Sequence, residues 1–284
     1  MSKNVTLKDE VVEDIKQGKE LGDVLANQSI SIKSLKNEKN LMLFPFCSTS
    51  KAIRFKSIKY RSTDNKFSLD VTANHEYGMA KIWDFDILRF VFSKINAIAD
   101  QTGYHPSSVS FSAYECLKFL KRSPNAGKNI KWLKEALDRL ASTTYKGNIF
   151  KDDLKLVSGF TLISYEYIES GKSLDKISVT LDKRIVSSMR NSESLMNIDS
   201  RLIEEPSGLK KRLLELVYLK IKNQKKWVVS VSELQELCAN SWKLKRFKCE
   251  IKSLKDLDWH ISEIAIENSA YIVFTKKNDT GVSF

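Results

Sequence analysis

Apolar residues are sparse up to about Asn40 and then arrive in patterned groups. Residues 1–40 are rich in Lys, Glu, Asp, Asn and Ser, and read as a mobile arm with one short helix over 9–25. The run Leu41-Met-Leu-Phe-Pro-Phe46 marks the start of a first folded unit. Two alternating stretches, Ile53/Phe55 to Tyr60 and Phe67/Leu69/Val71, flank Ser62-Thr-Asp-Asn65 and predict a β-hairpin. From Asp84 the period changes. Leu88, Val91, Ile95 and Ile98 fall three or four apart, the stripe of an amphipathic helix ending near Gly103. Val109-Ser-Phe111 is a short extended piece, and Ser112-Ala-Tyr-Glu115 opens a second helix with a capping box. After a turn at Ser123–Gly127, a third helix carries Ile130, Leu133, Leu137 and Leu140 on one side. β-rich segments follow at Ser142–Tyr145, Phe160–Tyr167 and Ile177–Thr180.

The same order then returns. A helix over about Gly208–Lys222 carries Leu213, Leu214, Val217 and Ile221, and Val229-Ser-Val231 is again a short strand. Ser232-Glu-Leu-Gln235 reads as another capping box, and a turn at Ala239-Asn-Ser241 precedes a helix with Leu244, Phe247, Ile251 and Leu254 on one side. Strands at Trp259–Ile266 and Tyr271–Thr275 close the unit. Val109-Ser-Phe-Ser112 against Val229-Ser-Val-Ser232 shows the duplication in the residues themselves. Helix, strand, helix, turn, helix and β-hairpin is the order of a winged helix. The predicted fold is therefore α+β with two tandem winged-helix domains: an arm at 1–40, one domain at 41–181 and another at 182–284. Residues 181–206 would couple them.

Charge gives this pattern a direction. Lys and Arg outnumber Asp and Glu by 47 to 35, a formal net charge of +12, which favours polyanions. In a helix-turn-helix, the helix after the turn presents its solvent face to the major groove. Opposite the first stripe lie Lys128, Lys131, Trp132, Glu135 and Arg139. Opposite the second lie Trp242, Lys245, Arg246, Cys249 and Ser253, with Lys248 and Lys252 flanking. Arg and Lys can donate to guanine, and Glu can accept from cytosine. Arg246, Lys245, Lys131 and Glu135 are the candidates for base edges. Lys128, Arg139, Lys243, Lys248 and Lys252 suit phosphate. A Lys-rich helix face is often only solvated, but two such faces recur at the recognition position of a duplicated unit. Trp132 suits packing against a neighbouring domain or chain. Lys146 and Lys151, near the first wing, suit either a DNA contact or plain solvation.

Nothing in the chain points to catalysis. His75, His105 and His260 lack metal-ligand spacing, and Cys47, Cys116, Cys238 and Cys249 form no CxxC pair. No GxxxxGK[ST] loop is present. Asp84 and Asp86 open a helix and read as capping and dipole groups. No catalytic, cofactor or metal site is expected. The polar start at Met1–Glu10 and the lack of a long apolar run predict a cytoplasmic protein without a membrane partner.

The run Glu76-Tyr-Gly-Met-Ala-Lys-Ile-Trp-Asp-Phe-Asp-Ile-Leu88 resembles a signature of the plasmid replication initiator protein A family. Leu137–Thr144, Gly208–Leu214 and Leu244–Phe247 agree with it, so the resemblance spans about Leu43 to Phe274. Lys81, Phe85 and Arg89 depart from the smaller or apolar residues expected in that signature, a change that would alter any interface there. The resemblance implies binding to repeated origin sites (iterons) in double-stranded DNA, origin opening, and recruitment of the host initiator and replicative helicase. It also implies autorepression by a homodimer. A winged-helix transcriptional repressor without a replication role is the alternative, and a winged-helix module for protein contacts is a third reading.

Overall fold

The computed structural model describes residues 30–150, 156–171, 173–191, 193–222, 224–254, 258–266 and 269–277. The helix expected over 9–25 and Lys151 lie outside the described residues. The chain folds as a mixed α/β protein.

The centre of the first half is α2 (Phe85–Thr102), which follows a short α1 (Lys39–Leu43). Leu88, Val91, Ile95 and Ile98 are all fully buried, as their spacing requires. Gly103 ends α2 at φ 76°, a left-handed position that lets its N–H reach the Ala99 carbonyl at 2.8 Å. After β4 (Ser108–Phe111) come α3 (Ala113–Phe119), a turn, and α4 (Gly127–Ser142). Strands β7 (Ile163–Ser170) and β8 (Ser173–Leu181) form an antiparallel hairpin whose second strand pairs with β4, giving the order β4-β8-β7.

The second half repeats this. α7 (Gly208–Ile221), β10 (Lys226–Ser230), α8 (Val231–Leu237) and α9 (Leu244–Ser253) lead into the hairpin of β11 (Trp259–Ile266) and β12 (Ser269–Lys276). The sheet order is β10-β12-β11, so in both halves the strand before the short helix pairs with the last strand of the hairpin. The register of the repeat differs from that expected. Ser112 Oγ accepts from Glu115 N at 3.1 Å, and its counterpart is Ser230, which accepts from Glu233 N at 3.1 Å. Ser232, the expected cap, already lies one residue inside α8, because Val231 must be buried where the helix starts. The Glu115 carboxylate is held at 2.8 Å by the buried Lys94 ammonium.

Two further sheets were less legible. The expected hairpin forms from β2 (Ile58–Arg61) and β3 (Ser68–Thr72), but Ile53 and Phe55 stay outside it as exposed loop residues. It continues into β5 (Thr144–Gly147) and β6 (Ser158–Phe160). Lys146 is thus an exposed residue of this four-stranded sheet and is not on the β7–β8 hairpin. The last residues assigned to the arm are ordered. β1 (Lys36–Glu38) pairs with β9 (Leu195–Asn197), and Asn37 and Glu38 are buried. Strand β9 sits between α5 (Lys183–Met189) and α6 (Arg201–Glu204) in the segment joining the halves.

Buried charge joins α2 to α7. Arg89 donates to Asp86 and to Glu215, while the Lys211 ammonium lies 2.7 Å from the second oxygen of Asp86. Arg212 meets Glu215 at 3.2 Å and donates to the carbonyls of Met42, Leu43 and Leu237. Burial pulls the Lys211 ammonium down to about 8, with Asp86 opposing and Arg89 adding to the shift. Asp86 is therefore no helix cap. Arg89 is the centre of this junction.

Candidate nucleic-acid interface

α4 sits on the core through Leu133, Ala136, Leu137 and Leu140, all fully buried, with Ile130 half-buried at its start. Lys128, Lys131 and Glu135 face solvent on the other side. The Lys131 side chain is 80% exposed and stands 3.9 Å from Glu135 one turn on, a weak pair that a base or phosphate can displace. Arg139 breaks the expected strip. Its guanidinium is buried and makes two hydrogen bonds to Asp84, at 2.8 and 2.9 Å. Burial alone would lower its pKa, but the Asp84 bonds and charge hold it above the ordinary arginine value. Burial likewise lifts the Asp84 carboxyl, against the pull of Arg139. Its second contact is the N–H of Lys81 at 2.8 Å, ahead of α2, so Asp84 makes no side-chain cap to the helix. Arg139 is therefore turned inward to Asp84 and away from the solvent face its spacing assigns it.

Trp132 packs within its own half. The Arg122 guanidinium lies 3.8 Å from the centre of its ring, a cation–π contact that closes the turn before α4. Both residues line a cleft of about 570 Å³ whose far wall is Ile203 to Pro206, in the connecting segment.

α9 is shorter and is held by two fully buried residues, Phe247 and Ile251. Leu254 is half-buried, whereas Leu244, expected in the same stripe, is 47% exposed. The two anchors are one turn apart, so the first turn of α9 projects past the core they enter. That turn carries the exposed Lys243, Lys245 and Arg246. The preceding loop is braced by Gln235, which donates to the Trp242 carbonyl at 2.7 Å, and by Asn240, which accepts from Trp242 N at 2.9 Å. Over this fixed ring lies the Arg246 guanidinium, 4.4 Å from its centre.

Lys248 and Lys252 occupy another edge of α9. Both reach one carboxylate, Glu263 on β11, at 2.6 and 3.2 Å. Hydrogen bonds from the two ammonium groups hold Glu263 below the ordinary glutamate range. The periodicity of α9 revealed its apolar side but gave no sign of this hairpin carboxylate, because the pairing spans 11 and 15 residues. The structure thus brings Lys128, Lys131 and Glu135 together on α4, and Lys243, Lys245 and Arg246 on α9. Lys248 and Lys252 are turned towards the hairpin. Cys249 is exposed on α9, while Cys47, Cys116 and Cys238 are buried, and no group of metal-ligating residues occurs among the described residues. No described helix is long and apolar enough to cross a membrane.

These features define a mixed α/β protein in which one helical and hairpin order occurs twice, each copy exposing a cationic helix. The chain belongs to the replication initiator protein A family, whose sequence profile matches residues 36–259. The matched span begins with β1 and ends at the first residue of β11. Two crystal structures of domains 2 and 3 of RctB are similar in fold. One superposes with a TM-score of 0.56 and 8% identity, covering 80% of this chain and 92% of the RctB chain. The other gives 0.52 and 10%, covering 84% and 96%. No curated protein sequence matches the chain.

Proposed function

We propose that this chain initiates plasmid replication by binding repeated origin sites, iterons, in double-stranded DNA through α4 and α9. On this reading the repeated units are tandem winged-helix domains, at 41–181 and 182–284. One observation carries the reading: each copy of the repeat places an exposed cationic helix directly after its turn. Two such helices on one chain can enter successive major grooves on the same face of a duplex. Their linkage raises the effective concentration of the second contact once the first is made. Arg246, Lys245, Lys131 and Glu135 read base edges, and Lys128 and Lys243 hold phosphate. Lys248 and Lys252 hold phosphate after exchanging Glu263 for DNA. Family membership supports the further steps: origin opening, recruitment of the host initiator and replicative helicase, and autorepression by a homodimer.

The test is an anisotropy titration of the full chain on a duplex it selects from a random pool, against a scrambled duplex. Arg246→Ala and Lys131→Ala are each expected to lose about 1–3 kcal/mol of discrimination. Equal affinity of the unaltered chain for selected and scrambled duplexes would overturn the proposal. If the selected sequence occurs as tandem repeats beside an AT-rich stretch near the gene, it supports an origin; a lone palindrome over a promoter supports a repressor.

A further inference from the structure

Between the two exposed helices lies the segment before β2, whose alternation predicts a strand that does not form there. From Ser48 to Tyr60 the sequence holds four cations, Lys51, Arg54, Lys56 and Lys59, and no acid. Residues 49–56 are not a free loop but a strap fastened to both halves. On one side Met79 N donates to the Arg54 carbonyl at 2.9 Å, and the Lys81 ammonium donates to the Lys51 carbonyl at 2.9 Å. On the other, Thr49 Oγ1 donates to the Cys238 carbonyl at 3.2 Å, and the Arg54 guanidinium donates to the carbonyl of Ala239. Cys238 caps α8 and Ala239 follows it, just before the turn into α9. Two glycines let the strap lie this close. A methyl group on Gly208 would fall 2.1 Å from the Thr49 carbonyl oxygen, and one on Gly78, at φ 77°, would fall 2.4 Å from the Ile53 side chain.

What the strap presents outward is chemically specific. Lys51 and Lys56 are exposed and their ammonium groups have no partner among the described residues. Between them Ile53 is 57% exposed and Phe55 is 55% exposed. Lys51 stands on the rim of both large clefts. One, of about 690 Å³, runs to Trp242 and Glu250 of the second unit, and the other, of about 570 Å³, runs to Trp132 and Glu135 of α4. The strap therefore lies between the two candidate recognition helices. The acids of the second cleft are largely answered within the protein: Asp84 by Arg139, Glu204 by Lys121, and Glu205 by Lys210.

We propose that residues 51–56 form a third DNA-contact element, lying along the minor groove between α4 and α9 with Lys51 and Lys56 on its phosphate rims. The inference rests on the duplex-binding reading above. When two helices occupy successive major grooves on one face, the minor groove between them faces the protein. That groove is only about 6 Å wide, which excludes a helix but admits an extended basic segment. Ile53 and Phe55 then meet the sugar walls, contacts that carry no hydrogen-bond code. A·T pairs are preferred there, because a narrow groove is more negative and no guanine amino group obstructs it. Four cations and no acid from Ser48 to Tyr60, with Lys51 on the rim of both clefts, match a phosphate backbone, so DNA is the favoured occupant.

The experiment uses the full chain and its selected duplex of about 30 base pairs, roughly three helical turns. In Lys51→Ala/Lys56→Ala, the slope of log affinity against log salt is expected to fall by about 2, with base preference under α4 and α9 retained. Changing the central A·T pairs to G·C should weaken binding of the unaltered chain about 10-fold, and inosine in place of guanine should restore it. Phe55→Ala should lose most of that central preference. All three side chains are exposed, so an unchanged melting temperature checks that the variants fold. An unchanged salt slope, or indifference to the central pairs, overturns the proposal while a loss in Arg246→Ala leaves the helix reading standing. If Arg246→Ala and Lys131→Ala are also without effect, the underlying reading fails instead. Intact DNA binding with lost plasmid maintenance in the lysine variant would reassign the strap to a protein partner and overturn the DNA proposal.

Discussion

Replacing Glu215 by Leu removes one carboxylate from a group that holds three buried cations. Glu215 Oε1 accepts from Arg89 and from Asn37 Nδ2, and Oε2 accepts from Arg212 at 3.2 Å. The variant leaves Arg89, Lys211 and Arg212 facing Asp86 alone. Arg212 keeps its three backbone carbonyls and Arg89 keeps Asp86, so neither is wholly orphaned. Breaking a buried pair from one side costs about 3–5 kcal/mol, and the remaining partners place this case near the lower end. Lys211 supplies an internal check. Its folded pKa is already down at about 8, below its ordinary value of 10.5. The unfolded state therefore binds more protons between those values, and this group adds stability as pH rises through that window. Loss of Glu215 depresses Lys211 further, so the window opens at lower pH in the variant. Urea denaturation followed by tryptophan fluorescence should show Glu215→Leu about 3 kcal/mol less stable at pH 7 and less penalised at pH 8.5. Adding Arg89→Leu removes the most exposed imbalance, and the double variant should recover a large part of the loss. A single-variant cost under about 1 kcal/mol, or a double variant whose losses simply add, would refute the account of the junction.

Arg139→Ala should destabilise the fold by roughly 3 kcal/mol by stranding Asp84, yet leave the salt slope of DNA binding unchanged, whereas Lys128→Ala should do the reverse and lower that slope by about 1. Unfolding titrations and anisotropy on the same preparations separate the two. Glu263→Gln frees Lys248 and Lys252 from their shared carboxylate, and should strengthen binding to scrambled duplex and steepen its salt dependence; weaker binding would show that the carboxylate positions them for DNA. Burial pushes Cys47 and Cys238 up to about 12 from an ordinary 9, and raises Cys116 as well. Thiols that ionise only on unfolding stabilise the fold below pH 9 and lose that effect as pH rises. In denaturation between pH 9 and 10, Cys238→Ala should show a decline shallower by up to about 1.4 kcal/mol per pH unit.

Periodicity exposed the elements with one apolar side. α2 and α4 fall where Leu88 to Ile98 and Ile130 to Leu140 place them, and the second half repeats their order, because burial of a stripe is a local demand the residues must state themselves. The failures share a different cause. Arg139 stands on the outward side of α4 by spacing alone, and only Asp84, 55 residues earlier, turns it inward. Asp86 looked like a helix-end carboxylate because Lys211, 125 residues later, is invisible to any local window. The cap at Ser230 was missed because Val-Ser recurs two residues out of step with the structural repeat. Lys51 to Lys56 alternate like a strand, but alternation does not tell which side finds a partner, and here Ile53 and Phe55 stay more than half exposed. Among the residues expected to bind DNA, those on short-range solvent faces were legible. The one buried by a distant carboxylate was not.

Arg212 takes its carbonyl partners from Met42 and Leu43 as well as from Leu237, and Glu215 is reached by Asn37 and Arg89. Severing the chain in the connecting segment would thus leave each fragment with ionised groups designed for a surface it no longer has. The repeat looks like two interchangeable modules, yet neither could be transplanted alone into another protein without rebuilding its inner wall. Recombination among such genes would conserve the pair as one inherited cassette, with variation confined to the outward sides of α4 and α9.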